Sequence, residues 1–191
     1  NAFILNLGLE SLHVRMKRHC ENGLAVAEFL SGHEKVAYVN YCDLPGDKYY
    51  PLARKYLPNG SCGVVSFGLK GGREAAGIFM KNLKMAAIET HVADARTCCL
   101  NPASSTHRQM TDEQLREAGV PGELIRISCG IEDKEDLIAD IAQALEALCP
   151  RVEGYKIMRQ DWGQQPGPGG TVIVLEKHRE VAKWISGEEG N

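Results

Sequence analysis

Apolar residues recur at three- and four-residue steps through the first 30 positions, and this spacing predicts one long amphipathic helix. Gly32 follows the last apolar position and is suited to a left-handed cap that ends the helix. A helix of this length is too long for a small domain to cover alone, so we expect its first turns to contact another domain or subunit. The apolar stripe consists of Leu5, Leu9, Leu12, Met16, Cys20, Leu24 and Ala27.

Beyond this helix, strand-like and helix-like patterns alternate. The predicted strands are 36–41, 63–69, 86–92 and 124–131. The predicted helices are 49–57, 73–83, 111–119 and 133–148, of which the third opens with a capping-box pattern. Residues 94–110 are polar and predict an irregular loop. This order predicts an α+β fold with a four-stranded, mainly antiparallel sheet, helices packed on one of its faces, and the long helix in front.

The character of the chain changes after Pro150. A glycine- and proline-rich stretch at 161–170 predicts a linker, followed by a strand at 171–176 and a short helix at 181–185. We interpret the glycines as a linker rather than a nucleotide site, because they precede the strand. The predicted organisation is a long helix, an α+β small domain, and a linker with a short appendage of unknown role, at 1–32, 33–149 and 150–191.

Composition excludes several classes of function. A net charge of −3 and a pI of about 6.1 do not favour a nucleic-acid partner, and no apolar run is long enough for a membrane helix. The first residues lack the features of a secretory signal and carry no initiator Met, so we expect a cytoplasmic protein and a longer parent chain. The seven cysteines lack zinc-ligand spacing, which predicts free thiols and no metal site.

Arg126 is the strongest candidate for a functional residue. Strand alternation in LIRISCGI places Arg126 and Ser128 on one face and Ile125 and Ile127 on the other. An arginine in the middle of a strong strand requires an anion, and its guanidinium suits a carboxylate. The residues leave two possibilities open, an internal salt bridge and the carboxylate of a substrate.

The loop Asn101–His107 is the second candidate, because its sequence NPASSTH concentrates hydroxyls and an imidazole between two predicted strands. Loops of this kind carry binding groups. A solvent-facing turn with local side-chain caps explains the composition equally well.

Several segments together resemble the C-terminal part of the Cys/Met-metabolism enzymes that depend on pyridoxal 5'-phosphate (PLP). These segments are RHCENGLAVAEFL, VNYCDLPGDKYYPLARKYLPNG and HVADARTCCLNPASSTHRQ…LIRISCGIED, and the resemblance covers about residues 1–148. Within the family, NAF, RHCENGLAVAEFL and KYLP favour the O-acetylhomoserine sulfhydrylase branch. The cystathionine γ-synthase, cystathionine γ-lyase and methionine γ-lyase branches are the alternative.

The resemblance indicates four candidate substrate-binding residues, Arg126, Thr106, Ser105 and His91. Arg126 corresponds to the arginine that binds the α-carboxylate of the amino-acid substrate, and Thr106, with Ser105 before it, lies in the loop beside that carboxylate. His91 stands where relatives carry Ser or Asn, which leaves its role open, and Asn101 stands where many members have His.

The implied reaction is γ-replacement on O-acetylhomoserine by sulfide or a thiol, in a cytoplasmic homo-oligomer. The PLP-bearing lysine and the phosphate-binding residues of the family precede this segment, and neither Lys70 nor Lys84 has the required context. We therefore expect PLP in the full-length enzyme, no cofactor and no catalysis in this chain alone, and a preceding PLP domain as partner. The competing hypothesis is a non-catalytic α+β binding or oligomerisation module.

Overall fold

The computed structural model describes residues 2–148 and one further pair of short strands, at 157–158 and 174–175. The chain divides into two compact units, Asn1–Leu148 and Cys149–Asn191. In the second unit, β6 (Ile157–Met158) and β7 (Val174–Leu175) pair antiparallel. The predicted strand at 171–176 overlaps β7, whereas the predicted linker at 161–170 and helix at 181–185 lie outside the described residues.

The predicted N-terminal helix is interrupted at Ser11. Helix α1 covers Ala2–Glu10 and α2 covers Leu12–Ser31, because Ser11 adopts φ −99° and ψ 2°. Arg15 spans the break, where its Nη2 donates to the Gly8 carbonyl at 2.6 Å and its Nε donates to Ser11 Oγ at 3.1 Å. The left-handed cap predicted at Gly32 is wrong, because this residue has φ −89° and stays right-handed.

The sheet has five strands rather than the predicted four. Their order is β1 (Val36–Asn40), β2 (Val64–Leu69), β5 (Leu124–Ser128), β4 (Cys98–Leu100) and β3 (Ala87–Ile88). All neighbours are antiparallel except β3 and β4, which are parallel. The extra strand β4 lies in the segment predicted as irregular, where three buried residues are too few to show a period.

The remaining helices are α3 (Tyr50–Tyr56), α4 (Gly72–Asn82), α5 (Asp112–Glu117) and α6 (Lys134–Glu146). The capping box of α5 is confirmed, because Thr111 Oγ1 accepts from the Gln114 N–H and Gln114 Oε1 accepts from the Thr111 N–H. In the described part of the chain, no helix has both the length and the hydrophobicity to cross a bilayer.

One face of the sheet forms the core with α2, α4 and α6. Helices α2 and α4 pack on the strands, and α6 packs against both helices. Phe67 from β2 meets Phe79 from α4 edge-to-face at 5.7 Å between ring centroids. The prediction of an α+β sheet with helices on one face is thus confirmed. The buried strand side chains on this face are Val65, Phe67, Leu69, Cys99, Ile125 and Ile127.

Asp140 ties the α4–β3 connection to α6. Its carboxylate is buried and accepts three backbone N–H groups, from Lys84 at 2.8 Å, Met85 at 3.0 Å and Ala86 at 2.9 Å. Burial alone would raise the pKa of Asp140. The hydrogen bonds from the three N–H groups have the larger effect and hold this pKa below its usual value. The ionised carboxylate therefore stabilises the route by which the chain enters β3.

We expect Asp140→Asn to lower the free energy of unfolding by about 1–3 kcal/mol at pH 7, because an amide NH₂ would face N–H donors. Since the folded pKa is depressed, the stabilisation is present above the unfolded carboxyl pKa and is lost as pH falls through the folded value. Urea denaturation at pH 7 and at more acidic pH measures both effects. The control is Asp136→Asn, in the exposed first turn of α6, with an expected change of about 0.5 kcal/mol or less. Equal losses in both variants would contradict the role of Asp140.

Candidate functional site

A polar row crosses the sheet face opposite the core. Arg126 lies at the centre of β5, opposite Ser66 of β2 on one side and Leu100 of β4 on the other. Asn40 of β1 extends the row, because its Nδ2 donates to Ser66 Oγ at 3.3 Å. Paired residues project to the same face of a sheet. The predicted alternation of β5 is therefore observed, with Ile125 and Ile127 in the core and Arg126 on the polar face.

The Arg126 guanidinium is half-buried and only partly satisfied. Its Nη2 donates to the Thr90 carbonyl at 2.8 Å, while its Nε is shielded from solvent and has no hydrogen-bond partner. Among residues 2–148, no carboxylate forms an ion pair with Arg126. The internal salt bridge, one of the two possibilities that the sequence left open, is therefore not formed within the described chain.

The loop after β3 is fixed to the polar face at two points. Arg126 contacts the Thr90 carbonyl, and Ser128, two residues along β5, accepts a hydrogen bond from the Ala93 N–H at 3.0 Å. Ala93 has φ 59°, in the left-handed region that side chains disfavour. His91 lies between these two attachments, so its backbone is held beside the Arg126 end of the site.

The His91 imidazole is surrounded by carboxylates. Its Nδ1 lies 3.0 Å from Glu89 Oε2 and 3.4 Å from Asp94 Oδ2. The backbone N–H of Arg96 lowers the pKa of Asp94, and the His91 side chain lowers it further. The described partners of His91 are thus acidic side chains. They are not groups of the loop Asn101–His107, which we call the hydroxyl loop.

The turn after β5 fixes the start of β4. Glu132 accepts from the Thr97 N–H at 2.6 Å and from Thr97 Oγ1 at 2.9 Å, and Thr97 Oγ1 in turn accepts from the Gly130 N–H at 2.8 Å. A Cβ at Gly130 would lie 2.4 Å from the Ala95 carbonyl oxygen, so only glycine fits there. These contacts place Cys98, the first residue of β4, directly beside the loop that carries His91. Burial raises the pKa of the Cys98 thiol.

The hydroxyl loop begins beside β5 and is organised by Asn101. The Asn101 Nδ2 donates to the Gly122 and Leu124 carbonyls, and its Oδ1 accepts from the Ser104 N–H. Ser105 Oγ donates back to the Asn101 carbonyl, while Thr106 Oγ1 is 2.9 Å from Nδ1 of the following histidine. The 3₁₀ turn Pro102–Ser104 contacts β5.

The structure therefore assembles part of the predicted site directly. Arg126 and the His91 loop are joined through Thr90, whereas no hydrogen bond in the described chain links Arg126 to Ser105 or Thr106. Sequence reasoning missed Ser66 and Glu89. Strand pairing, which requires the register of the sheet, is the signal that identifies Ser66.

The comparisons with known proteins agree with this architecture. The sequence profile of the Cys/Met metabolism PLP-dependent enzymes matches residues 1–146. The chain belongs to this family. It is 46% identical to a homocysteine synthase from Schizosaccharomyces pombe over 145 residues, which are 76% of this chain and 34% of the relative. It is 42% identical to an O-acetyl-L-homoserine sulfhydrylase from Thermus thermophilus over 144 residues, 75% of this chain and 34% of the relative.

A solved structure supports the fold of this family member. A Campylobacter jejuni protein assigned as an O-acetylhomoserine (thiol)-lyase, which carries an N'-pyridoxyl-lysine-5'-monophosphate, superposes with a TM-score of 0.71 at 37% identity. The superposition covers 76% of this chain and 35% of that protein. The chain thus spans about a third of the length of the relatives it matches.

The described residues of this family member do not fit a complete PLP site. Lys70 and Lys84, the lysines considered from the sequence, are both exposed, and neither is part of the polar row. The buried, unpartnered donor on this face is the Arg126 guanidinium Nε, which suits an anion rather than an aldehyde. Neither of these two lysines offers the cofactor of the family an attachment point in the polar row.

We expect Ala93→Gly to raise the free energy of unfolding by about 0.5–1 kcal/mol, because glycine removes the strain at φ 59°. The matched control is Ala95→Gly, two residues away, whose φ is negative; this change should be destabilising by a similar amount. Urea denaturation of both variants measures the difference. If the two changes had the same sign, the backbone of the His91 loop would not be strained.

Proposed function

We propose that this chain supplies the substrate-carboxylate site of a PLP-dependent sulfhydrylase, which replaces the acetate of O-acetylhomoserine by sulfide or a thiol. The observation that carries the proposal is the Arg126 guanidinium, which is held at the centre of the polar row without a carboxylate in the described chain. The similarity to the O-acetyl-L-homoserine sulfhydrylase of Thermus thermophilus supports the reaction class.

The role proposed for Arg126 is to orient the substrate rather than to transfer protons. One Nη is occupied by the Thr90 carbonyl, so the remaining guanidinium N–H groups are available for the two oxygens of a carboxylate. Fixing the carboxylate in this way restricts the rotation of the α-carbon, and such positioning accounts for a large part of many catalytic effects.

The hydroxyl loop and His91 complete the proposed rim of the site. Thr106 is exposed and Ser105 is half-buried, and Asn101 links Ser105 to the start of β5. We place their hydroxyls beside the bound carboxylate as further donors. His91 belongs to the loop that Ser128 and Arg126 attach to β5. An imidazole flanked by two carboxylates is not a carboxylate binder, and we propose for it only a place at the rim.

The PLP-bearing part of the proposed enzyme is a partner of this chain. Helix α1 buries none of its residues, and large apolar side chains on it are exposed, Phe3 by 77% and Leu5 by 70%. Exposed apolar surface of this size is typical of an interface. We propose that it is covered by the PLP domain or by a further subunit of a cytoplasmic homo-oligomer.

A hybrid enzyme tests the carboxylate site. Residues 1–148 of this chain replace the matching segment of the Thermus thermophilus sulfhydrylase, and the hybrid is assayed with O-acetylhomoserine and sulfide. We expect Arg126→Ala to lower kcat/KM by roughly 10- to 100-fold, because a charge-assisted hydrogen bond to the carboxylate is lost. Arg126→Lys should retain part of the activity, mainly at the cost of a higher KM.

The control variant in this experiment is Arg116→Lys, on the exposed face of α5, which should leave kcat/KM unchanged. A methyl ester of the substrate adds a second readout, because Arg126→Ala should abolish the preference for the free acid over the ester. An active hybrid that ignores Arg126→Ala would refute the carboxylate role. An inactive hybrid would count against the assignment to sulfhydrylases.

The 191-residue chain alone is expected to be inactive and to form no specific adduct with PLP. Its exposed lysines lack the enclosed setting that favours a stable covalent attachment. Incubation with PLP, reduction with borohydride and peptide mass spectrometry should show only scattered, substoichiometric labelling. Poly-lysine treated in parallel gives the background level. A stoichiometric adduct at one lysine would disprove this expectation.

A further inference from the structure

Three different metal-ligand side chains converge between β3 and β4. A carboxylate oxygen of Glu89, a ring nitrogen of His91 and the Cys98 Sγ lie within 4.8 Å of one another. Glu89 follows β3, His91 belongs to the loop fixed to β5, and Cys98 opens β4. Their spacing along the chain matches no zinc motif, but the parallel pairing of Ala87 with Cys98 brings the ends of the loop together.

The geometry of the cluster suits a small tetrahedral cation. Ligand atoms around tetrahedral Zn²⁺ are separated by about 3.3–3.8 Å, given metal–ligand bonds of about 2.0–2.3 Å. Glu89 Oε2 and His91 Nδ1 are 3.0 Å apart, and Asp94 Oδ2 is 3.4 Å from the same nitrogen. Asp94 thus lies beside the imidazole, but only the Glu89, His91 and Cys98 ligand atoms all lie within 4.8 Å of one another, so the fourth position is left to a water molecule.

The ligand atoms have free bonding capacity. Glu89 Oε2 is shielded from solvent and has no partner in hydrogen-bond geometry among the described residues, although His91 Nδ1 is 3.0 Å away. Arg96 approaches only the other oxygen, Oε1, at 3.7 Å. The Asp94 Oδ1 accepts from the Arg96 N–H, which leaves Oδ2 directed towards His91. Glu89 Oε2 therefore has lone pairs that it can offer to a cation.

We propose that Glu89, His91 and Cys98 form a three-ligand binding site, open to water at the fourth position, for a borderline divalent cation of the Zn²⁺ type. A thiolate and an imidazole together select Zn²⁺ over the hard cations Mg²⁺ and Ca²⁺, which require oxygen ligands. The Cys98 thiol releases its proton to solvent when its sulfur binds the metal. The site does not depend on the proposed enzymatic function, because Arg126 contributes only the contact that holds the Thr90 backbone.

The test uses the purified 191-residue chain after removal of metals with a chelator. We expect one Zn²⁺ per chain in competition with a chromophoric chelator, and with Co²⁺ a thiolate-to-metal charge-transfer band together with intense tetrahedral d–d bands. The variants Glu89→Gln, His91→Gln and Cys98→Ser should each weaken Zn²⁺ binding at least about tenfold, and Cys98→Ser should remove the charge-transfer band.

Matched controls are His13→Gln, on the exposed side of α2, and Cys42→Ser, a half-buried thiol outside the cluster; both should leave the affinity unchanged. Cys98 is 1% exposed, so its variant is compared by circular dichroism, while His91 is exposed and its variant should fold normally. No stoichiometric binding, binding unaffected by His91→Gln, or a Co²⁺ spectrum without a thiolate band would each overturn the proposal.

Discussion

Strand β5 is held between β2 and β4, and the position of the candidate site depends on this pairing. Its register places Ile125 and Ile127 in the core and Arg126 on the opposite face. A slip of one residue would exchange the two faces and bury a guanidinium among apolar side chains, at a cost of several kcal/mol. The hydrophobic core therefore determines where the charge of Arg126 is presented, although the core residues take no part in binding.

The groups that surround Arg126 on the polar face come mainly from loops rather than from strands. The segment after β3 is attached to β5 through the Thr90 carbonyl and the Ala93 N–H, and the hydroxyl loop is attached through Asn101. Each attachment uses a backbone group of the loop or of β5, so the neighbouring side chains remain available. The strained φ of Ala93 lies at one of these attachments, as expected where a functional surface constrains the backbone.

Local sequence patterns predicted the helices and strands whose apolar residues follow a regular spacing. The alternation of β5, the amphipathic helices and the capping box at Thr111 follow from local patterns, and the structure agrees with them. The break at Ser11 was missed because the apolar stripe continues across it. Strand β4 was missed because Cys98–Leu100 is too short to show alternation. The contact of Arg126 with Thr90 spans 36 residues, and only the three-dimensional register brings these groups together.

Two sites of opposite charge preference lie close together on this face. Arg126 presents cationic N–H groups, whereas Glu89 and Asp94 present anionic oxygens around His91. Without a cation, these carboxylates would disfavour a substrate carboxylate bound near them. A divalent cation bound among them, with Cys98 as the thiolate, would weaken that negative field without reversing it, and would so reduce the repulsion of an anion at Arg126. Because the two sites share only the backbone of Thr90, removing the metal ligands would alter the field at Arg126 without altering its hydrogen bonds.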